Sequence, residues 1–179
     1  MQEPNQGGAV TGSFHRAFTS QYRAGLAMLR GAIASCPEEL WDDASYHNRF
    51  WHIAYHVLFY THLYLSPSEE EFAPWEKGRA DYNFFPGTEW SPFATIEEYI
   101  PYTKNEILEY HDHLYDLIPG LVGSAPFEAP SGFFWIPFDR FQLHIYTIRH
   151  LGHHTGQLSD RIREGVGNGV AWVGRKGDV

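Results

Sequence analysis

Residues 46–65 read YHNRFWHIAYHVLFYTHLYL, a stretch that is apolar around nearly the whole circumference of a helix. A helix with apolar side chains on all sides is typical of a buried position, because a solvent-facing helix keeps one polar face. Pro67 stops the pattern, since the residue before a proline avoids the helical region. The stretch therefore predicts a helix at the centre of a larger helical assembly.

A first helix is predicted over residues 14–35. Ser13 can cap its N-terminus, and Pro37 ends it. Residues 1–12 contain Gly, Gln and Pro without a periodic pattern, which predicts a flexible N-terminal tail. The remaining residues, 13–179, are enough to bury most of one core and predict a single domain.

Two capping signals predict the last two helices. Thr95 and Glu98 form a capping box that opens a helix over residues 96–118. Asp139 begins a fourth helix over residues 140–164 by the same kind of signal.

The connection between the second and third helices, residues 66–94, contains prolines, glycines and an acidic run. Such a long irregular segment can cross between parallel neighbours, so the helices need not alternate in direction. No segment shows the sustained alternation of a strand. The sequence therefore predicts an all-α fold, a four-helix bundle with a long crossover connection.

Composition excludes several classes of function. The chain has 179 residues and a formal net charge of −9, so it lacks the basic patch that nucleic-acid binding needs. It has neither a signal-peptide pattern nor an apolar run long enough to span a bilayer. Cys36 is the single cysteine, which excludes an intramolecular disulfide and fits a reducing compartment. We expect a cytoplasmic protein without nucleic-acid or membrane partners.

Histidine is unusually abundant, with 11 residues against 13 Lys and Arg. Two pairs have helical spacing: His150 with His154, and His52 with His56. Residues four apart lie on one helix face with β-carbons about 5–6 Å apart. Both imidazoles of a pair can therefore bind one metal ion at about 2.0–2.1 Å. Two pairs on two apolar helices predict a metal site inside the bundle.

Helix phase separates these histidines. At about 100° per residue, His150 and His154 lie at the edge of the apolar stripe, whereas His153 lies nearly opposite and should face solvent. His52 and His56 share the apolar stripe of their helix, so burial does not decide between them. A structural interpretation is also open, in which each imidazole bonds a Tyr hydroxyl or a carbonyl, because an unpaired buried group costs about 1–3 kcal/mol.

Other catalytic motifs are absent from the sequence. Leu151 follows His150, so the zinc-protease signature His-Glu-x-x-His is not present. Neither a nucleophile elbow nor a phosphate-binding loop occurs. A metal held by three imidazoles keeps an open position, where it can lower the pKa of a bound water towards about 7 or bind a thiolate. The sequence does not indicate whether this open position binds a water or a thiolate.

Three stretches resemble the DinB/YfiT-like superfamily: WHIA at 51–54, HLGHHTGQL at 150–158, and GVAWVG at 169–174. The likeness spans roughly residues 14–174. It implies a four-helix bundle, often a homodimer, with a zinc or nickel ion held by one early histidine and the late pair.

Carried over residue by residue, the resemblance assigns His150 and His154 to the late pair. His52 best matches the early ligand, because Ile-Ala follows it as in the family pattern, and His56 is the alternative. Thr155 stands where the family usually has Arg, so no role of that Arg carries over.

The resemblance implies a metal-dependent hydrolase, or a transferase or isomerase that uses a low-molecular-weight thiol such as bacillithiol or mycothiol, acting on a small molecule. His56 or a nearby Tyr is a candidate general acid or base, and no catalytic residue is assigned. Two alternatives stay open. One is a non-catalytic dimeric bundle that binds a metal or ligand, and the other is a vestigial site whose histidines are purely structural.

Overall fold

The computed structural model describes residues 6–124 and 126–177, and this part of the chain is all-helical. It contains five α-helices: α1 (Gln6–Ser35), α2 (Glu38–Trp41), α3 (Phe50–Leu65), α4 (Lys104–Val122) and α5 (Arg140–Val166). A 3-10 turn, Ile96–Glu98, lies between α3 and α4. The described ranges contain no strand, only an isolated bridge between Pro130 and Asp139. No helix in them is long and apolar enough to cross a membrane.

The four long helices surround a common core. Each of α1 and α3 packs against both α4 and α5. On the seam between α3 and α5, His56 contacts His154 and Tyr64 contacts Tyr146. Residue numbers rise along one helix as they fall along the other, so α3 and α5 are antiparallel.

The connection between α3 and α4 joins parallel helices. Tyr55 packs on Tyr110, and His62, two turns further along α3, packs on His113, further along α4. The chain must therefore return the full length of the bundle between them. Residues 66–103 make this crossover, the arrangement that a long irregular connection allows.

α3 is the buried helix that the sequence predicts. Thirteen of its 16 residues are buried. It begins at Phe50, later than the predicted start at residue 46, and ends at Leu65 as expected. Its burial means that every polar side chain on it must find a partner inside the molecule.

Two arginines of α5 fix its register against α3. Arg140 is 1% exposed and donates to the carbonyls of Leu65 at 3.1 Å and Ser66 at 2.7 Å. These carbonyls lie at the C-terminal end of α3, where unpaired acceptors and the helix dipole favour a cation. Near the other end, Arg161 donates to the carbonyl of Asn48 at 2.8 Å, just before α3 begins.

The first helix begins earlier than predicted. The prediction of a flexible tail is wrong for residues 6–12, which belong to α1, and Ser13 lies inside the helix instead of capping it. A glycine in a helix costs only about 0.5–1 kcal/mol, which extension of an existing helix can offset. Residues 1–5 of the predicted tail lie outside the described residues. α1 ends at Ser35, as predicted.

The third long helix begins later than predicted. The capping box of Thr95 and Glu98 is present but opens only a 3-10 turn. Pro101 explains this, because it disfavours the helical conformation in the residue before it. A second capping box, formed by Thr103 and Glu106, begins α4.

α4 and α5 both end later than predicted. Pro119 lies inside α4, which continues to Val122. Proline has a helical φ and gives up only one hydrogen bond, a small loss in the last turn. α5 continues past Gly165 to Val166, and Gly167 ends it with a left-handed φ of 83°.

Candidate metal centre

Three histidines meet on the seam between α3 and α5. One ring nitrogen each of His56, His150 and His154 lies within 4.8 Å of the other two. The Nε2 atoms of His56 and His150 are 3.2 Å apart, close to the roughly 3.3 Å that separates two nitrogens on one tetrahedral ion. Among the described residues, no other three His, Cys, Asp or Glu side chains lie this close together.

Hydrogen bonds on the far side of two rings set their tautomers. His56 Nδ1 donates to the carbonyl oxygen of Asn83 at 2.7 Å, so Nε2 carries a lone pair. His154 Nδ1 donates to Oε1 of Gln157 at 3.1 Å, which leaves its Nε2 free. Metal-binding histidines commonly donate their second ring N–H in this way. Both rings therefore present Nε2 as a ligand atom.

His150 is held by its neighbours rather than by a second hydrogen bond. Its Nδ1 is buried and has no hydrogen-bond partner in the described ranges. Because His56 Nε2 carries no proton, the contact between the two Nε2 atoms requires the proton of His150. A divalent ion would accept both lone pairs, so this donor set fits a metal better than it fits a single weak hydrogen bond.

All three rings are neutral at pH 7. Burial is the main cause that lowers the pKa of His150 to about 4, with added repulsion from His154 and His153. Burial also lowers the pKa of His56 well below its usual value, and the other two histidines add to this. The pKa of His154 is lowered by burial, against the opposing effect of its bond to Gln157. Neutral imidazole is the form that binds metal.

The structure groups His56, and not His52, with the late pair. His52 lies one turn earlier on α3, about 6 Å along the axis, and is fully buried. Its Nε2 donates to the carbonyl of Tyr82 at 2.9 Å, and its ring stacks on Trp51. It thus holds the crossover against α3. The geometry does not support the sequence preference for His52 and favours the alternative, His56.

The prediction for the neighbouring pair on α5 is confirmed. His153 is exposed, whereas His154 is 8% exposed. Ile145, an apolar residue of the same helix, is 51% exposed. The buried face runs instead through His144 and Thr147.

The remaining buried histidines have structural partners. His62 Nδ1 lies 3.2 Å from the hydroxyl of Tyr110, and His111 Nε2 donates to the carbonyl of Leu26 at 2.9 Å. His144 is bonded to a tyrosine hydroxyl of α1. These three imidazoles therefore fit the structural interpretation, in which a buried histidine bonds a Tyr hydroxyl or a backbone carbonyl.

Aromatic side chains surround the three histidines. Phe85 stacks on His56 with ring centroids 4.2 Å apart. Tyr60 packs against both His56 and His150.

Of the two groups that support the ligands, only Gln157 could have been found from the sequence. It follows His154 by three residues, a spacing at which side chains on a helix can form a hydrogen bond. No local signal marks Asn83, which lies 27 residues after His56 in the irregular crossover.

No protein-family model matches the chain, and neither a curated protein nor a solved structure matches it. The function must therefore be argued from the three histidines and their surroundings.

Proposed function

We propose that the protein binds one divalent transition-metal ion through His56, His150 and His154 and acts as a metal-dependent enzyme. The observation that supports this is the meeting of three neutral imidazoles from two helices. Two of them are held in the ligating tautomer by Asn83 and Gln157. The third, His150, has no hydrogen-bond partner at Nδ1 among the described residues, and its Nε2 lies 3.2 Å from that of His56.

Zinc or nickel is the proposed metal. Imidazole nitrogen suits both ions, and no thiolate or carboxylate belongs to the three-histidine group. Three protein ligands leave a position for an exogenous ligand, as in catalytic zinc sites. When bound there, the ion can lower the pKa of a water towards about 7 or bind a thiolate.

The side chains around the site favour a small, partly apolar substrate. Phe85 and Tyr60 pack against the ring of His56, and Tyr146 lies beside His150. Such walls limit the water that reaches the site and strengthen electrostatic interactions inside it. The proposed reactions are hydrolysis and thiol-dependent transfer or isomerisation.

Membership of the DinB/YfiT-like superfamily and a homodimeric state are proposals that rest on the resemblance of the motifs.

Titration of metal-free protein with Zn²⁺ in competition with a chromophoric chelator tests the metal site. We expect one ion per chain. Protein that shows no measurable affinity for Zn²⁺ or Ni²⁺ would support the interpretation of the histidines as purely structural.

Catalysis is tested with the metal-loaded protein. A panel of esters and amides tests hydrolysis, and small thiols paired with electrophiles test transfer. Turnover that disappears on chelation and in His56→Ala would support an enzyme. Tight metal binding without turnover on either panel would favour the non-catalytic binding bundle.

A further inference from the structure

The row of histidines on the seam between α3 and α5 continues into a row of tyrosines. Tyr60 lies one turn after His56 on α3, and Tyr146 lies one turn before His150 on α5. Because the helices are antiparallel, both tyrosines fall on the same side of the histidines, and Tyr64 lies beyond them against Tyr146. The row therefore places the rings of Tyr60 and Tyr146 beside the proposed ligands.

Tyr60 contacts two of the three proposed ligands. Its ring centroid lies 4.8 Å from that of His56 and 5.9 Å from that of His150. Tyr146 contacts only His150, at 6.5 Å. Side chains on a helix lean towards its N-terminus, so the ring of Tyr60 leans over His56.

Asn83 positions both His56 and Tyr60. Its backbone carbonyl accepts the proton of His56 Nδ1 at 2.7 Å, and its Nδ2 donates to the hydroxyl oxygen of Tyr60 at 3.2 Å. Since Asn83 is the donor in this second bond, the proton of Tyr60 is available for another acceptor. None of the described residues accepts it in a hydrogen bond.

We propose that the Tyr60 hydroxyl donates a hydrogen bond to the anionic atom of a ligand bound beside the three histidines, with Asn83 as a positioning residue. This inference rests on the proposed metal site. Phe85, which stacks on His56, has no polar proton to donate, and His153 faces solvent. The ligands that this donor would select are small anions that bind through one atom, such as a thiolate or a carboxylate.

Azide binding to the Co²⁺-loaded protein tests the proposal without an enzymatic assay. Azide is a small anion that binds one metal ion through one terminal nitrogen, and its binding changes the visible absorption of Co²⁺. We expect Tyr60→Phe to weaken azide binding roughly tenfold or more, because it removes a hydrogen bond to a charged group. Affinity for Co²⁺ itself should stay unchanged, since the phenol is not a ligand.

Tyr64→Phe is the matched control, since it removes the same hydroxyl further along the row, and it should change neither affinity. Asn83→Ala keeps the carbonyl that holds His56 but releases Tyr60. It should therefore weaken azide binding while Co²⁺ binding persists, which a merely structural role would not produce.

Equal azide affinity in wild type and Tyr60→Phe would overturn the proposal. So would a loss in Tyr146→Phe in place of Tyr60→Phe, which would assign the donor to Tyr146. Wild-type protein that binds Co²⁺ but no azide would overturn the proposal while leaving the metal site intact. Failure of the wild type to bind Co²⁺ would contradict the metal site itself.

Discussion

Adjacent residues of α5 give the sharpest contrast at the scale of single side chains. His153 is exposed and His154 is buried. A helix turns about 100° per residue, so neighbours point in very different directions. The two residues have identical chemistry and differ only in position. They therefore form a matched pair for testing which face of α5 binds the metal.

We predict that His154→Ala lowers Zn²⁺ affinity by about a hundredfold or more, because loss of a direct ligand should exceed the 10–100-fold typical of a supporting residue. His153→Ala should leave the affinity nearly unchanged. Competition titrations of the two variants measure both values. Equal losses would show that α5 does not present His154 to the ion.

The second residue-scale prediction concerns His56 and His52. His56→Ala should weaken Zn²⁺ binding, whereas His52→Ala should mainly lower the free energy of unfolding, by about 2–3 kcal/mol, since it removes a buried ring and its bond to Tyr82. Zinc titration and urea unfolding of each variant separate the two effects. A larger loss of zinc affinity in His52→Ala would restore the assignment implied by the family resemblance.

At the scale of whole elements, the sequence predicts which segments are helical but not how they are aligned. Pro37 and the capping residue Asp139 are local signals, and both mark real boundaries. The register of α5 on α3 depends instead on Arg140 and Arg161, whose acceptors lie 75 and 113 residues away. No local pattern shows such contacts. This register is what brings His56, and not His52, level with the pair on α5.

We predict that Arg140→Met lowers the free energy of unfolding by about 3 kcal/mol, because it leaves buried carbonyls at the end of α3 without a donor. Arg140→Lys keeps the charge but loses the planar fork, so it should retain only part of this stability. Urea unfolding measures both. A change below about 0.5 kcal/mol for Arg140→Met, typical of a surface site, would contradict a role for Arg140 in fixing the register.

At the scale of the whole molecule, apolar periodicity was enough to predict an all-helical fold with a buried central helix. Spacing was enough to predict that His150 and His154 share one face. The supporting groups were not predictable, because Asn83 reaches His56 from an irregular crossover. Pro101 shows a similar limit, since the capping signal at Thr95 is real but the helix it would open is cut short.

Buried histidines should make the metal-free protein sensitive to acid. Burial is the main cause that lowers the pKa values of His52, His62 and His144 to about 4 in the folded protein, whereas unfolded histidine titrates near 6.5. Between these pH values the unfolded chain binds more protons, so stability falls as the pH falls. Above about 6.5 and below about 4 these three groups have no further effect.

We predict that the free energy of unfolding of the metal-free protein decreases by about 1.4 kcal/mol per pH unit for each such histidine between pH 6.5 and pH 4. Urea unfolding at several pH values measures the slope. His62→Leu removes one of these histidines, so it should reduce the slope by about 1.4 kcal/mol per pH unit. A free energy that stays constant from pH 7 to pH 5 would contradict the burial of neutral imidazoles.

X-ray absorption spectroscopy of the zinc-loaded protein tests the central claim most directly, because it counts the imidazoles bound to the ion. We predict three imidazole nitrogens at about 2.0–2.1 Å in the wild type, falling to two in His56→Ala and remaining three in His52→Ala. A wild-type spectrum with fewer than two imidazoles, or a count that falls in His52→Ala and not in His56→Ala, would contradict a site built from His56, His150 and His154.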